Sequence, residues 1–143
     1  MVIFFILNVI IRVKVLLIKN EKGNIFGGYA SIPWTNNAGS YFSAPESFLF
    51  TLSNIYNSEP TKFPSKNNQK EVDHNFNYGP IFGGEGRDDL LIYGDILNTG
   101  GYSEFPYAYK DILGKGKSIF TGDYNNNNNK FKIKEIEVFK ISK

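Results

Sequence analysis

Short apolar runs, each closed by turn-forming residues, are the feature that most constrains the fold of this chain. Val13–Ile18 is β-branched and apolar apart from one lysine, Lys19–Asn24 has turn composition, and Ile25–Ala30 resumes an extended pattern. This succession predicts a β-hairpin. The sequence contains no heptad pattern, internal repeat or long amphipathic helix. It therefore favours two packed antiparallel sheets over helical bundles and solenoids.

Three further segments have the composition of strands. Ser47–Leu52 predicts a buried strand, Leu90–Tyr93 predicts another, and Phe131–Val138 predicts a strong closing strand. The apolar residues of the closing strand change parity midway, which predicts either a β-bulge near Glu135 or burial on both faces. Phe and Tyr dominate an aromatic content of 16%, and such residues suit the half-buried faces of sheets.

Length, charge and residue usage exclude several classes of protein. At 143 residues the chain fits one domain. With 16 basic and 14 acidic residues, its net charge of +2 is too small for a nucleic-acid-binding surface. The absence of cysteine excludes disulfides and thiol nucleophiles, and a single histidine, His74, excludes two-histidine zinc sites. We therefore expect no metal and no cofactor, a cytoplasmic location, and His74 at the solvated surface.

The first residues form an apolar run that could be mistaken for a membrane segment. Met1–Ile11 is apolar apart from Asn8, but Arg12 and Lys14 interrupt it well before the roughly 18 to 20 residues that a spanning helix needs. We expect residues 1–14 to be a leader or an extra N-terminal strand, residues 15–143 to form the domain, and no integral membrane span.

Glycines mark the positions where the backbone is expected to turn or to meet another segment closely. Five of them are predicted to be structural: Gly27 and Gly28 in the second strand, and Gly83, Gly84 and Gly86 around an acidic residue. That residue, Glu85, is followed closely by Asp88 and Asp89, and Asp95 lies a little further along. A tight turn that carries carboxylates is therefore expected here.

A second glycine-bearing stretch, Gly114–Ser118, looks like the end of a phosphate-binding loop. The required first glycine is replaced by Asp111, and no helical pattern follows to present amide groups to an anion. We therefore predict an ordinary turn.

The candidate functional or interface residues are Glu46, Glu85, Asp88 and Ser103, and no residue is assigned as catalytic. Paired carboxylates could perform acid–base catalysis, but the sequence does not bring these together. Ser103 has no nucleophile-elbow context, and His74 is a distant candidate for its base. Two alternatives stay open: a stress-defence enzyme that uses Glu85 or Ser103, and a carbohydrate-binding β-sandwich whose aromatic and asparagine side chains hold sugars.

Several blocks, taken in order, resemble the TLDc family. They are Ile25–Tyr29 with Ser31 and Trp34, Phe48–Leu52, Gly79–Gly84, Asp89–Ile92, Gly101–Ser103 and the closing Phe131–Phe139. The resemblance runs from about Val15 to Ile141. Members of that family carry a further N-terminal segment with a helix and an aromatic-bearing strand. The resemblance implies that this segment is missing here, where Met1–Arg12 stands in its place.

The resemblance also implies a fold and a role. The implied fold is mainly β, a sandwich of two antiparallel sheets with short flanking helices. The implied role is oxidative-stress resistance and regulation of the vacuolar proton-pumping ATPase, and catalysis is not an established family trait. We therefore expect a non-catalytic intracellular interaction domain that binds a protein partner, plausibly this pump, and that reaches vacuolar or endolysosomal membranes only through that partner.

Overall fold

Ten β-strands make up most of the computed structural model, which describes residues 15–34, 40–74, 78–93, 100–125 and 128–140. The strands are β1 (Val15–Asn20), β2 (Ile25–Tyr29), β3 (Ser40–Phe42), β4 (Phe48–Ser53), β5 (Thr61–Pro64), β6 (Val72–His74), β7 (Tyr78–Gly84), β8 (Arg87–Tyr93), β9 (Gly100–Tyr102) and β10 (Lys130–Phe139). Within the described ranges the helix is the single turn α1 (Ser118–Thr121). The predicted leader, residues 1–14, lies outside them.

All ten strands belong to one continuous antiparallel sheet with the order β3-β6-β7-β8-β9-β10-β1-β2-β4-β5. Strand β10 pairs with β9 through Lys130–Lys132 and with β1 through Ile133–Phe139. It therefore joins two parts, the β1 half-sheet (β1, β2, β4, β5) and the β8 half-sheet (β3, β6, β7, β8, β9). The mainly-β class is confirmed, and the two predicted sheets are the halves of one sheet.

The hydrophobic core lies between the two half-sheets, which face each other. Phe82 of β7 reaches the backbone of Gly28 in β2, where an added Cβ would lie only 2.6 Å from the ring. The Trp34 ring meets Phe82 edge-on at 5.2 Å, and Phe26 meets Phe131 edge-on at the same distance. Each such ring contributes about 1.5 to 3 kcal/mol by leaving water. The two faces are therefore held together by interlocking aromatic side chains.

The predicted hairpin is confirmed as β1 and β2, and Asn20 closes its turn. The buried Asn20 side chain accepts the backbone N–H groups of Lys22 and Asn24, both at 3.0 Å, and donates to the Phe120 carbonyl at 2.8 Å. The turn is thereby tied to α1. Opposite β1, the pairing of β10 shifts register between Glu135 and Ile133. The predicted bulge near Glu135 is thus confirmed.

Strand β4 differs from its prediction as a buried strand, because only one of its faces is turned to the core. Leu49 and Thr51 are fully buried, whereas Phe48 and Phe50 are partly exposed and Leu52 is 45% exposed. Successive residues of a strand point to opposite faces, and both faces of β4 are apolar. The alternation was therefore hidden in the sequence.

Candidate interaction site around Glu85

A tight turn between β7 and β8 places Glu85 at the tip of a hairpin. Gly84 pairs with Arg87, and the two residues between them have positive φ values, 60° at Glu85 and 74° at Gly86. Two consecutive left-handed residues make the turn that best matches the twist of a hairpin. Gly84 has no space for a side chain, since a Cβ would lie 2.7 Å from the Cβ of Tyr41. Strand β3 therefore lies directly against the turn.

Three side chains from distant segments converge on the Glu85 carboxylate. The Tyr41 hydroxyl in β3 donates to Oε1 at 2.9 Å, and the Tyr107 hydroxyl, in the segment after β9, donates to Oε2 at 3.0 Å. Lys70, in the loop before β6, places Nζ 2.6 Å from Oε2. The Glu85 side chain is 42% exposed and that of Lys70 is 27% exposed. The arrangement is thus organised and also accessible.

Two cations lie over the aromatic rings of this group. The guanidinium carbon of Arg87 is 5.4 Å from the centre of the Tyr107 ring, and Nζ of Lys70 is 5.5 Å from that of Tyr41. Such contacts orient both the cation and the ring. We refer to Tyr41, Lys70, Glu85, Arg87 and Tyr107 as the Glu85 cluster.

The contacts within the cluster fix its charge. The hydrogen bond from Lys70, followed by those from Tyr41 and Tyr107, lowers the pKa of Glu85. The same contacts with Glu85 raise the pKa of Lys70 and of the Tyr41 hydroxyl. Glu85 is therefore ionised throughout the neutral range. A general acid needs the opposite shift, a pKa raised towards the working pH, so the site is suited to binding rather than to proton donation.

Asp89 positions one member of the cluster without belonging to it. Its carboxylate is fully buried and accepts the backbone N–H groups of Tyr107 at 2.8 Å, Ala108 at 2.9 Å and Tyr109 at 3.2 Å. Burial raises the pKa of Asp89 to about 7, while the three N–H donors act to lower it. The carboxylate therefore fixes the segment that carries the Tyr107 ring.

Asp88 and Ser103 lie nearby but point away from the surface. Asp88 is 8% exposed, and its Oδ1 has no hydrogen-bond partner among the described residues. Burial, with a smaller effect of Asp73 and Glu104, raises the pKa of Asp88 to about 6. The Ser103 hydroxyl is fully buried and donates to the Asp89 carbonyl at 2.7 Å. These surroundings give Ser103 a structural role and offer no support for its use as a nucleophile.

The remaining candidates are not brought into the cluster. Glu46 is exposed in the turn before β4, and Asp95 lies outside the described residues. His74, expected at the surface, is instead 4% exposed on β6 and stacks on the Phe42 ring at 4.4 Å. The correction has a simple cause, because His74 shares the inner face of its strand with Val72. Burial also lowers the pKa of His74.

In Gly114–Ser118, the stretch that resembles the end of a phosphate-binding loop, a carboxylate of the chain itself binds the backbone N–H groups. The Asp111 carboxylate accepts the backbone N–H groups of Gly114 at 2.9 Å, Lys115 at 3.3 Å and Gly116 at 2.8 Å. The amide groups that would hold a phosphate are thus bonded to Asp111. The predicted turn is confirmed, whereas the expectation that no helix follows it is wrong, because the single helical turn α1 begins at Ser118.

Four of the five cluster residues were not singled out from the sequence. Glu85 attracted attention through its glycine neighbours, whereas Tyr41, Lys70, Arg87 and Tyr107 have no shared motif. Tyr41 and Tyr107 are 44 and 22 positions from Glu85. Only Arg87, two residues beyond Glu85 across a tight turn, carried a local signal.

The chain was compared with known proteins. A family model described as the TLDc domain matches residues 10–142. A search among curated proteins finds none that matches. Within the described part of the chain, no helix is both long and apolar enough to cross a membrane, and no group of three or more acidic or histidine side chains could hold a metal ion.

Proposed function

The chain belongs to the TLDc family, and from that premise we propose that it is a non-catalytic intracellular interaction domain. Its partner in this proposal is the vacuolar proton-pumping ATPase, which it regulates in support of oxidative-stress resistance. The chain itself stays on the cytoplasmic side and reaches the vacuolar or endolysosomal membrane only through the pump.

The observation that carries the proposal is the Glu85 cluster. Tyrosine and arginine are the residues most enriched where protein interfaces gain their binding energy. Here two tyrosines, one arginine and a lysine surround an ionised carboxylate, and every ring and charge has a fixed neighbour. Side chains that are held in place before binding lose less conformational entropy when a partner arrives.

The cluster is also mounted on a rigid support. It lies where the β7–β8 hairpin, strand β3 and the segment after β9 meet, and Asp89 fastens that segment through three backbone hydrogen bonds. Binding residues on loops that a rigid scaffold positions are a common arrangement. A partner that offers both basic and acidic groups would complement the cluster, since its carboxylate and its two cations lie side by side.

The test is co-purification of pump subunits with the full chain carrying Glu85→Lys. The new lysine would face Lys70 and lose both tyrosine hydroxyl bonds, so we expect recovery of the pump to fall by roughly tenfold or more. The matched control is Glu59→Lys, which makes the same charge change at an exposed turn between β4 and β5. This control should bind like the wild type.

Circular dichroism and the melting temperature must show that both variants are folded before their recovery of the pump is compared. Recovery of the pump by folded Glu85→Lys at the wild-type level would remove the cluster from the proposal. Failure of the wild-type chain to recover any pump subunit from intact membranes would remove the pump as its partner.

A further inference from the structure

The outer face of the β1 half-sheet, turned away from the core, is mostly apolar over β1, β2 and β4, with Lys19 as its charged residue in β1, and Phe139 of the adjoining β10 extends it. Its side chains come from β1, β2, β4 and β10, and we refer to them as the outer apolar face: Leu17, Tyr29, Phe48, Phe50, Leu52 and Phe139. Leu52 is 45% exposed and Phe139 is 47% exposed, and the other four are partly exposed. The outer face of an antiparallel sheet is usually polar where it meets water.

Three aromatic side chains of this face, those of Tyr29, Phe48 and Phe50, form a continuous row. The ring centres of Tyr29 and Phe48 are 5.3 Å apart, and those of Phe48 and Phe50 are 6.4 Å apart. The Phe50 ring also lies against Gly27, whose added Cβ would approach it to 3.0 Å. A contiguous apolar patch of this kind marks an interaction surface.

One row of directly opposed residues crosses the middle of this face from β10 to β5, and in this row the charged residues are the first and the last. Directly opposed residues run from Glu137 in β10 through Leu17, Gly27 and Phe50 to Lys62 in β5. Glu137 and Lys62 are both exposed. Nζ of Lys62 lies 4.0 Å from the centre of the Phe48 ring, so its charge is turned onto the face. Each of these two residues is two strands away from Gly27, which occupies the centre of the row.

This symmetry of position makes the face complementary to itself. A two-fold axis parallel to β2 and above Gly27 would place Glu137 of the first copy opposite Lys62 of the second. It would equally place Lys62 of the first copy opposite Glu137 of the second, at the other margin of the face. The same operation sets Leu17 against Phe50 and Tyr29 against its own symmetry mate. Sheets packed in this manner lie about 10 Å apart and interdigitate apolar side chains, and an isologous interface requires such reciprocal contacts.

We propose that the outer apolar face is a homodimer interface, in which a second copy of this chain packs on the first with two reciprocal Glu137–Lys62 ion pairs at its margins. The inference does not depend on the pump as a partner, because it concerns the half-sheet that does not carry the Glu85 cluster.

A charge exchange on the full chain tests the proposal by sedimentation velocity over a range of concentrations. The wild type should dimerise, and Glu137→Lys or Lys62→Glu alone should raise the dimer dissociation constant by roughly tenfold or more, because each variant sets like charges together at both margins. An equimolar mixture of these two variants should dimerise like the wild type, since both contacts of a mixed dimer again join opposite charges. Glu21→Lys, in the exposed β1–β2 turn, is the control and should not change the constant.

Three results would overturn the proposal. One is a wild-type chain that stays monomeric at every concentration. This holds even if deletion of residues 1–14 then produces a dimer, because that result would mean that the chain's own segment covers the face. Another is a wild-type dimer that Glu137→Lys and Glu21→Lys affect equally. The third is a mixture of the two single variants that associates no better than either variant alone.

Discussion

Asp88 and Asp89 are neighbours in β8, yet Oδ1 of the first has no partner among the described residues while the second carboxylate accepts three backbone N–H groups. Burial raises the pKa of Asp88 from 3.8 to about 6. Between these pH values the folded chain holds a proton that the unfolded chain has released, so the free energy of unfolding falls as the pH rises. The shift corresponds to at most about 3 kcal/mol.

We therefore expect Asp88→Asn to stabilise the fold by about 1 to 3 kcal/mol at pH 8, where the wild type buries an ionised carboxylate. At pH 3 both the folded and unfolded wild type carry the proton, so the gain should disappear. Urea unfolding at the two pH values measures the difference. A variant that is less stable than the wild type at pH 8 would show that Asp88 has a partner in solution.

Removal of the neighbouring carboxylate should act in the opposite direction. Asp89→Ala removes both carboxylate oxygens, so the backbone N–H groups of Tyr107, Ala108 and Tyr109 lose their acceptor. Leaving these buried donors unpaired should cost about 1 to 3 kcal/mol. Urea unfolding at pH 5 checks this cost, because the pKa of about 7 leaves the folded carboxyl protonated there and no buried charge is removed with it. An unchanged midpoint would contradict the prediction. Amide exchange should also accelerate at residues 107–109, because their N–H groups lose the acceptor.

For single residues, the sequence indicated which carboxylates were unusual but did not indicate the neighbours that make them so. Glu85 stood out through its flanking glycines, and the left-handed backbone at Glu85 and Gly86 agrees with that turn chemistry. Tyr41 and Lys70 could not be associated with it, since they reach Glu85 only after the sheet has formed. The burial of Asp88, and the bonds that fix Asp89, likewise depend on neighbours that are distant in sequence.

Among the elements, β4 gives the clearest test of the side-chain alternation. Leu49 is fully buried between the half-sheets, so Leu49→Ala should cost about 2 to 5 kcal/mol. Phe50 is larger but lies on the outer apolar face. In the monomer, Phe50→Ala should therefore cost only about 1 kcal/mol, the scale of a lost cross-strand contact. Leu49→Ala should therefore have the lower urea midpoint. A lower midpoint for Phe50→Ala would contradict the assignment of Leu49 to the inner face and of Phe50 to the outer face.

Strand positions were predictable where the local pattern was strong. The β1–β2 hairpin and the bulge in β10 followed from β-branched runs, turn residues and a change of parity. The prediction of β4 as a buried strand holds for its inner face only, because Phe48 and Phe50, which face outward, are as apolar as Leu49. The three-residue strands β3, β6 and β9 are too short to carry an alternation of their own.

For the whole molecule, the strand order was beyond the reach of local patterns. Strand β10 is distant in sequence from both of its partners, β1 and β9, and it joins the two half-sheets. We expect a chain truncated after residue 129 to lose cooperative unfolding, because β10 is the strand that pairs with both β1 and β9. Circular dichroism during urea titration measures this. A truncated chain with a sharp transition near the wild-type midpoint would show that each half-sheet is stable without β10.

The position of β10 also bears on how the protein is made. The ribosome synthesises β1 long before β10, so the edge of β1 that pairs with β10 lacks this neighbour until a strand more than a hundred residues later has emerged. Throughout that interval the nascent chain exposes the edges of β1 and β9, and unpaired strand edges recruit other chains. The sheet as a whole can therefore form only after β10 has left the ribosome, and a chaperone that shields these two edges until then would raise the yield of native protein.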